Sequence, residues 1–313
     1  MTDATLIADI GGTNARFALT RGGGGFADLQ VIETSRFPAL ADAARHYLNA
    51  AGARISAAVI AGAGPAIGGR IQLTNCPWTI EAAPLKHALG IGRITLVNDF
   101  EALAHALPVL TGPDTRQIGG GAPGAGPKLI LGPGTGFGAA LYIAGAGRGL
   151  VVPTEAGHVA LGITDIAGFP PVETGEQENG RISVEGILSG RGISRLHSAL
   201  CRRAGAPQPP REAAEIVNAA LEGSDGLARE TVTLFCSILG SVAGDLALAT
   251  GASGGVYIAG GIAPRMIDFI ISGDFRARFD AKAPMLAYMA GIPVHIVTHP
   301  QPALLGLARL AGP

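Results

Sequence analysis

A short glycine-containing segment lies between two apolar stretches near the start of the chain. Residues 5–8 and 15–20 are predicted as strands, and Asp9-Ile10-Gly11-Gly12-Thr13-Asn14 stands between them. In a hairpin of this kind backbone N–H groups can approach an anion closely, because glycine carries no Cβ. An ordinary tight hairpin also favours a Gly-Gly pair. The segment alone therefore leaves a phosphate-binding turn and a plain turn open.

Asp9 adjoins this turn, where a carboxylate and a phosphate would repel each other. The two become compatible when a divalent cation lies between them, as happens in sites that bind nucleotide phosphates. We therefore predict that Asp9 holds Mg²⁺ through a water molecule.

A second segment repeats the arrangement of apolar strand, glycine turn and apolar strand. Residues 134–139 match the G-x-G-x-x-A dinucleotide fingerprint, which requires a helix after the loop and an acidic residue about 20 positions further on. Residues 139–143 are instead short and apolar, and Gly145 soon follows, so we predict another strand. Two such hairpins indicate two phosphate-binding turns for one nucleotide and disfavour a Rossmann oxidoreductase.

Composition narrows the class of protein. The chain has 313 residues, 23 basic and 24 acidic side chains and no basic run, so neither nucleic acid nor an anionic membrane is an expected partner. Its three cysteines form no C-x-x-C pair, which disfavours a structural zinc site and agrees with a reducing cytoplasm. The start of the chain lacks the pattern of a secretory signal. The uncharged run 231–244 is shorter than the ~20 residues of a membrane span and is predicted as a buried helix.

Strands and helices alternate along the chain, which is typical of an α/β protein built of layered domains. The stretch 111–127 is rich in glycine and proline and is predicted as a hinge. We predict a smaller α/β domain over residues 1–110, joined by a C-terminal helix within 300–313. A larger α/β domain is predicted over residues 111–299.

Asn98 and Asp99 follow the apolar strand 94–97 and precede a helix predicted from residue 101. Polar residues at the carboxyl end of a strand commonly line the ligand crevice of an open α/β sheet. A helix N-terminus favours the ionised form of a carboxyl group, and an ionised carboxylate can accept a hydroxyl proton as a general base. A purely structural N-cap is the alternative.

Glu155, His158 and Glu185 stand in glycine-rich surroundings that carry little other charge. Carboxylates accept hydrogen bonds from neighbouring hydroxyls, and histidine can both donate and accept, so these groups suit a sugar. The spacing of Glu155 and His158 would also permit metal ligation, but no cysteine cluster follows to complete a zinc site. Further on, the strand 255–259 ends at Gly260-Gly261, where a flat base could lie against bare backbone or where the chain merely turns.

These segments occur in the order found in the superfamily of sugar kinases, actin and heat-shock-chaperone ATPases. Within it the chain closely resembles bacterial ATP-dependent glucokinases of the zinc-free type. The resemblance implies a two-lobed, actin/hexokinase-like (ribonuclease H-like) fold with a cleft between the lobes. The matching blocks are residues 9–16, 98–100, 134–138, 155–158, 184–190 and 258–262, with a further match at 74–78.

The resemblance implies phosphorylation of glucose at its 6-hydroxyl by ATP with Mg²⁺, in a cytoplasmic homodimer. Asp99 would be the general base on that hydroxyl. The side chains that would hold the other hydroxyls are Asn98, Glu155, His158 and Glu185. The residues that would hold ATP are Ala8, Asp9, Ile10, Gly11, Gly12, Thr13, Asn14 and Thr135 at the phosphates, with Gly260 and Gly261 at the adenosine.

The sequence also departs from the family at one position, and it bears on three other possible functions: a repressor, a kinase for another hexose and a nucleotide-switched ATPase. Thr154 stands where we expect glycine in many such kinases, a departure that concerns the shape of the following loop and leaves the role of Glu155 unchanged. Related sugar-responsive repressors carry a cysteine-rich zinc loop and often a DNA-binding helix pair, and this sequence shows neither. A kinase for fructose or mannose stays open. A nucleotide-switched ATPase of the actin or chaperone type would not need the carboxylates of Asp99, Glu155 and Glu185.

Overall fold

The computed structural model describes residues 4–21, 24–73, 76, 78–162, 169–170, 180–207 and 209–312. Thr74, Asn75 and Pro77, which belong to one of the matching blocks, lie outside the described residues. The chain divides into two compact units. The first comprises Met1–Thr111, Gly145–Pro153 and His299–Pro313, and the second comprises Gly112–Ala144 and Thr154–Thr298.

Strands and helices alternate through both units, which confirms the predicted α/β class. The strands are β1 (Ala4–Ile10), β2 (Asn14–Thr20), β3 (Ala27–Glu33), β4 (Ile55–Gly62), β5 (Ala66–Ile67), β6 (Arg70–Gln72), β7 (Thr79–Glu81), β8 (Arg93–Asn98), β9 (Thr115–Gly119), β10 (Lys128–Pro133), β11 (Phe137–Ile143), β12 (Leu150–Thr154), β13 (Val256–Ile258) and β14 (Val294–Val297). The helices are α1 (Leu40–Ala51), α2 (Ala82–Leu89), α3 (Asp99–Ala106), α4 (Val184–Ile187), α5 (Gly190–Arg203), α6 (Ala213–Glu222), α7 (Gly226–Thr250), α8 (Ile267–Ser272), α9 (Phe275–Asp280), α10 (Leu286–Gly291) and α11 (Pro302–Ala311).

The first unit is built on a five-stranded sheet in the order β3-β2-β1-β4-β8, with a small sheet β5-β6-β7 beside it. Strands β1, β4 and β8 are parallel, whereas β1 and β2 form the antiparallel glycine hairpin. Alternate residues of β1 point to opposite faces. Leu6 packs with Phe17 and Tyr47 on one face, and Ile7 packs with Leu304 of α11 on the other.

The segment 145–153 was expected in the second domain and groups with the first unit instead. Arg148 ties this segment to the first unit, because its guanidinium donates hydrogen bonds to the carbonyls of Leu310 (2.9 Å) and Gly312 at the end of α11. Arg309 of the same helix donates in return to the carbonyl of Arg148 at 2.6 Å. The two bonds from Arg148 are charge-assisted and satisfy carbonyls at the C-terminus of α11, where a helix leaves them unpaired.

The second unit is built on a sheet in which the strands β11, β10, β13, β14 and β9 follow one another in this order. The segment after Gly138 is the strand β11, antiparallel to β10, as predicted, so the helix of a dinucleotide fingerprint is not present there. The predicted hinge at 111–127 contains β9, which pairs with β14. Such pairing with a strand far along the chain leaves no local trace in the sequence.

Helix α7 contains the apolar run 231–244. At 25 residues it is long and apolar enough to cross a membrane, judged by length and composition alone. However, 72% of its most apolar window is buried inside the structure, and Phe235 and Leu239 belong to the core of the second unit. The prediction of a buried helix is confirmed, although the helix is longer than the run suggested.

Helices α3 and α11 approach each other at Gly306. A Cβ on Gly306 would overlap the carbonyl oxygen of Ala102 and lie 2.9 Å from the amide nitrogen of Ala106. Both obstacles are backbone atoms, so Gly306→Ala is expected to lower the free energy of unfolding by about 1–3 kcal/mol. Urea denaturation measures this. In the control Gly226→Ala the added Cβ meets nothing within 4 Å, and equal stability of the two variants would contradict the close packing.

Candidate functional site

The turn between β1 and β2 is held in place by Thr34. The N–H of Thr34 donates to the carbonyl of Thr13 at 2.9 Å, and its hydroxyl donates to the carbonyl of Gly12 at 2.9 Å. The N–H of Gly11 donates within the turn, to the carbonyl of Asn14 at 3.0 Å. Thr34 therefore holds the turn through the carbonyl oxygens of Gly12 and Thr13 and makes no use of their N–H groups.

Asp9 lies opposite Arg16 in the hairpin register. The Nη1 atom of Arg16 is 3.3 Å from Oδ2 of Asp9, whose side chain is 19% exposed. Burial raises the pKa of the Asp9 carboxyl, and the guanidinium of Arg16 opposes that rise. Arg16 carried no predicted role, although the two strands joined by a short turn imply its position across from Asp9.

The surroundings of Asp9 can be compared with what Mg²⁺ requires. The ion pair with Arg16 is made by Oδ2, and the carboxylate has a second oxygen as a hard ligand. Among the described ranges, no group of three or more His, Cys, Asp or Glu side chains could hold a metal by itself. A single carboxylate fits Mg²⁺, because this ion is usually held by one or two carboxylates together with substrate phosphates and water.

Asn98 ends β8 and caps α3. Its Oδ1 accepts hydrogen bonds from the N–H groups of Phe100 (2.8 Å) and Glu101 (3.4 Å), and its Nδ2 donates to the carbonyl of Gly64 at 3.1 Å. Helix α3 therefore begins at Asp99 and not at residue 101. The Nδ2 group carries a second hydrogen for a ligand.

Asp99 is the first residue of α3, and its Oδ1 accepts a hydrogen bond from the N–H of Phe100 at 3.0 Å. Burial, followed by the negative charge of Asp9, raises the pKa of Asp99 to about 7. We expected the helix N-terminus to favour the ionised form. The hydrogen bond from the first turn of α3 does lower the pKa of Asp99, but burial and the carboxylate of Asp9 raise it by more. A pKa near neutrality suits a general base that works at neutral pH.

This raised pKa predicts the pH dependence of stability. The unfolded chain has a pKa near 3.8 at this position and the fold about 7, so the stabilising contribution of the protonated group is present below pH 3.8 and is lost as pH rises through 7. Asp99→Asn should therefore be more stable than the wild type above pH 7, by up to about 4 kcal/mol, with the gap closing towards pH 4. Urea unfolding at pH 5 and pH 8 measures this. Asp274→Asn, at the exposed start of α9, is the control. A difference in stability between Asp99→Asn and the wild type that does not depend on pH would contradict the raised pKa of Asp99.

In the second unit three segments meet at the backbone of Phe137, the first residue of β11. Its N–H donates to Oε2 of Glu185 at 2.9 Å. A Cβ on Gly136 would overlap that same oxygen, and a Cβ on Gly157 would overlap the carbonyl of Phe137. The glycine turn, the helical turn 156–158 and the carboxylate of Glu185 therefore lie together, as three separate sequence motifs had suggested.

Two backbone hydrogen bonds align the segments that carry Glu155 and Glu185. The N–H of Val184 donates to the carbonyl of Val159 at 3.0 Å, and the N–H of Leu161 donates to the carbonyl of Ile182 at 2.8 Å. An antiparallel bridge lies between these bonds. Carboxylates 30 positions apart in the sequence are in this way held on adjoining segments.

The side chains of Glu155 and His158 are both 63% exposed, with Nε2 of the histidine 3.9 Å from Oε2 of the glutamate. Thr154 fixes the loop that precedes them. Its hydroxyl donates to the carbonyl of Ala139 at 2.8 Å and accepts from the N–H of Ala156 at 3.4 Å. Thr154 therefore anchors the loop, and the side chains of Glu155 and His158 stay available to a ligand.

The Gly260-Gly261 pair lies beside the second glycine hairpin. Gly260 has a φ of +92°, and a Cβ there would overlap the carbonyl of Pro133. A Cβ on Gly261 would meet nothing within 4 Å, and both Gly261 and Thr135 are exposed. An open surface of bare backbone thus adjoins the glycine turn, at the carboxyl ends of the parallel strands β10 and β13.

The structure gathers the predicted residues into two sets, one in each unit. Strands β1 and β8 flank β4 in parallel, so the first glycine turn and Asp99 lie at the same edge of their sheet. The set in the first unit is residues 8–14, Asn98 and Asp99, and the set in the second unit is Thr135, Glu155, His158, Glu185, Gly260 and Gly261.

Comparison with known proteins identifies the family of the chain. The family model described as Glucokinase matches residues 6–312. A curated glucokinase of Chromobacterium violaceum is 42% identical over 305 residues, covering 97% of this chain and 88% of that protein. The crystal structure of a glucokinase from an Antarctic psychrotroph is 34% identical with a TM-score of 0.82 and covers 99% of each chain. The structure of Balamuthia mandrillaris glucokinase in complex with glucose, at 21% identity and a TM-score of 0.78, covers 99% of this chain and 93% of that one and shares the fold. The chain therefore belongs to the glucokinase family.

Proposed function

We propose that this protein transfers the γ-phosphoryl group of ATP to the 6-hydroxyl of glucose. The observation that carries the proposal is the carboxyl of Asp99, which has a pKa of about 7 and lies at the same sheet edge as the first glycine turn. Membership of the family, with 42% identity to a curated glucokinase over nearly the whole chain, supports the substrate pair. We also place the chain in the sugar kinase, actin and chaperone superfamily and in its zinc-free type, as the residue blocks imply.

In the proposed mechanism Asp99 accepts the proton of the 6-hydroxyl as that oxygen attacks the γ-phosphorus, while the bond from the γ-phosphorus to the bridging oxygen breaks and ADP leaves. The backbone of residues 8–14 and Thr135 holds the phosphates, and Gly260-Gly261 faces the adenosine. Asp9 would hold Mg²⁺, and the ion would neutralise charge on the phosphates. The side chains that hold the remaining sugar hydroxyls are Asn98, Glu155, His158 and Glu185.

A panel of hexoses tests the function. ADP production should depend on sugar and be fastest with glucose. Preference for fructose or mannose would indicate a kinase for another hexose. ADP production that does not respond to any sugar would indicate a nucleotide-switched ATPase.

We further propose that the two units are the lobes of an actin/hexokinase-like fold with the sugar bound in the cleft, and that the protein is a homodimer. Support for a shared sugar site comes from the assignment itself, since Asp99 belongs to the first unit and Glu155 and Glu185 to the second. A ligand that contacts both lobes favours the closed form through its differential affinity.

Small-angle scattering should therefore show a smaller radius of gyration with saturating glucose than without it. Multi-angle light scattering on the same samples gives the number of subunits and keeps a change of assembly from being mistaken for closure. Identical scattering curves with and without glucose would count against closure.

A further inference from the structure

The carboxylate of Glu185 contacts the second glycine turn directly. Its Oε2 accepts a hydrogen bond from the N–H of Phe137 at 2.9 Å and occupies the space where a side chain on Gly136 would begin. The side chain is 25% exposed, so the bond is partly shielded from water. The turn that precedes β11 is thus tied to a carboxylate 48 positions further along the chain.

The other end of the turn is fixed separately. The carbonyl of Gly134 accepts a hydrogen bond from the N–H of Gly190, and the N–H of Gly134 donates to the carbonyl of Gly136. Thr135, the proposed phosphate ligand, stands between these two attachments. Its placement therefore depends on Glu185 at one side and on the start of α5 at the other.

The two oxygens of Glu185 have different partners. Oε2 is held by the Phe137 N–H, whereas Oε1 is 3.9 Å from Nη2 of Arg191, whose side chain is 72% exposed. Exposed ion pairs of this length contribute little, so Oε1 can accept a hydrogen bond from a ligand hydroxyl. A bond at Oε1 would fix the carboxylate plane and, with it, the bond from Oε2 to the turn.

We propose that Glu185 is a positioning residue that couples the two substrates: one oxygen takes a sugar hydroxyl while the other holds the Phe137 N–H, so that glucose and ATP raise each other's affinity. The inference rests on the proposed function and adds to it a specific bond that carries the coupling. Coupling of this kind is reciprocal, and its usual size is about 5- to 150-fold in affinity. Glu155 serves as a contrast, because its side chain is 63% exposed and faces His158 instead of the turn.

The test measures the Kd of glucose by calorimetry with and without a saturating, non-hydrolysable ATP analogue. The ratio of the two values is the coupling factor. Gly136→Ala is the most informative variant, because the new Cβ displaces Oε2 of Glu185 while every charge is kept, and φ at this position lies outside the left-handed region. Glu185→Gln is the second variant, and Glu155→Gln is the matched control.

We expect the coupling factor to fall to near 1 in Gly136→Ala and to decrease in Glu185→Gln. In Glu155→Gln glucose should bind more weakly with the coupling factor unchanged. Circular dichroism shows whether Gly136→Ala is folded, and Glu185→Gln decides the question if it is not. A wild-type coupling factor in the folded variants would overturn the inference while leaving the proposed function intact. A wild type that neither binds glucose nor produces ADP would overturn the proposed function itself.

Discussion

Replacement of Asp99 by asparagine should lower kcat for glucose phosphorylation by about 10²–10⁴-fold, the usual contribution of a general base. Asparagine keeps the shape of the side chain and an acceptor for the N–H of Phe100, which donates to Oδ1 in the wild type at 3.0 Å. Glucose affinity should therefore stay within a few-fold of the wild-type value. A coupled ADP assay gives kcat, and calorimetry gives the Kd of glucose.

The pH profile separates a general base from a residue that only holds the sugar. Because burial and Asp9 raise the pKa of Asp99 to about 7, the wild-type kcat should rise as pH increases through that value. The residual activity of Asp99→Asn should lack this limb. A variant with wild-type turnover, or one with the same profile, would remove Asp99 from the catalytic role.

Removing the charge of Glu155 should raise the KM for glucose by about 10- to 100-fold. The loss of a charge-assisted hydrogen bond costs about 1.5–3 kcal/mol, and each 1.4 kcal/mol is tenfold in affinity. Glu155→Gln keeps the side-chain length. The loop is held by the hydroxyl of Thr154, which bonds to the backbone of Ala139 and Ala156, so the fold should not change. The KM for ATP should change much less.

Glu222→Gln, at the exposed end of α6, is the control. If ATP affinity fell and glucose affinity did not, Glu155 would belong to the nucleotide site.

Several elements of the fold could be predicted because their signals are local. The two glycine hairpins combine apolar strands with turn residues, and both are present. Strand β3 could not be found in this way, since Leu29 and Val31 are exposed at the edge of the sheet and give no buried alternation. Strand β9 is identified by its pairing with β14, and such pairing is not visible in one segment alone.

In the candidate site, too, contacts between distant segments could not be predicted from the sequence. Polar residues after a strand pointed to Asp99, but the raised pKa depends on Asp9, a residue of another strand. The bond between Glu185 and the N–H of Phe137 joins positions 48 apart. The role of Thr154 could not be predicted from the sequence either, because its hydroxyl donates to the carbonyl of Ala139 on another strand. Residue type and spacing identify candidates, whereas contacts between distant segments decide their chemistry.

The first unit is formed by segments from both ends of the chain, which has a consequence for synthesis on the ribosome. Ile7 of β1 and Val59 of β4 share a core cluster with Leu304 and Leu307 of α11, and the chain of the second unit is translated between them. At about 5–20 residues per second, β1 waits roughly 15–60 s for the helix that covers one of its faces. During that interval the apolar side of the sheet next to Asp99 is uncovered. Nascent chains should therefore bind chaperones through this surface, and they should acquire activity only after α11 has emerged.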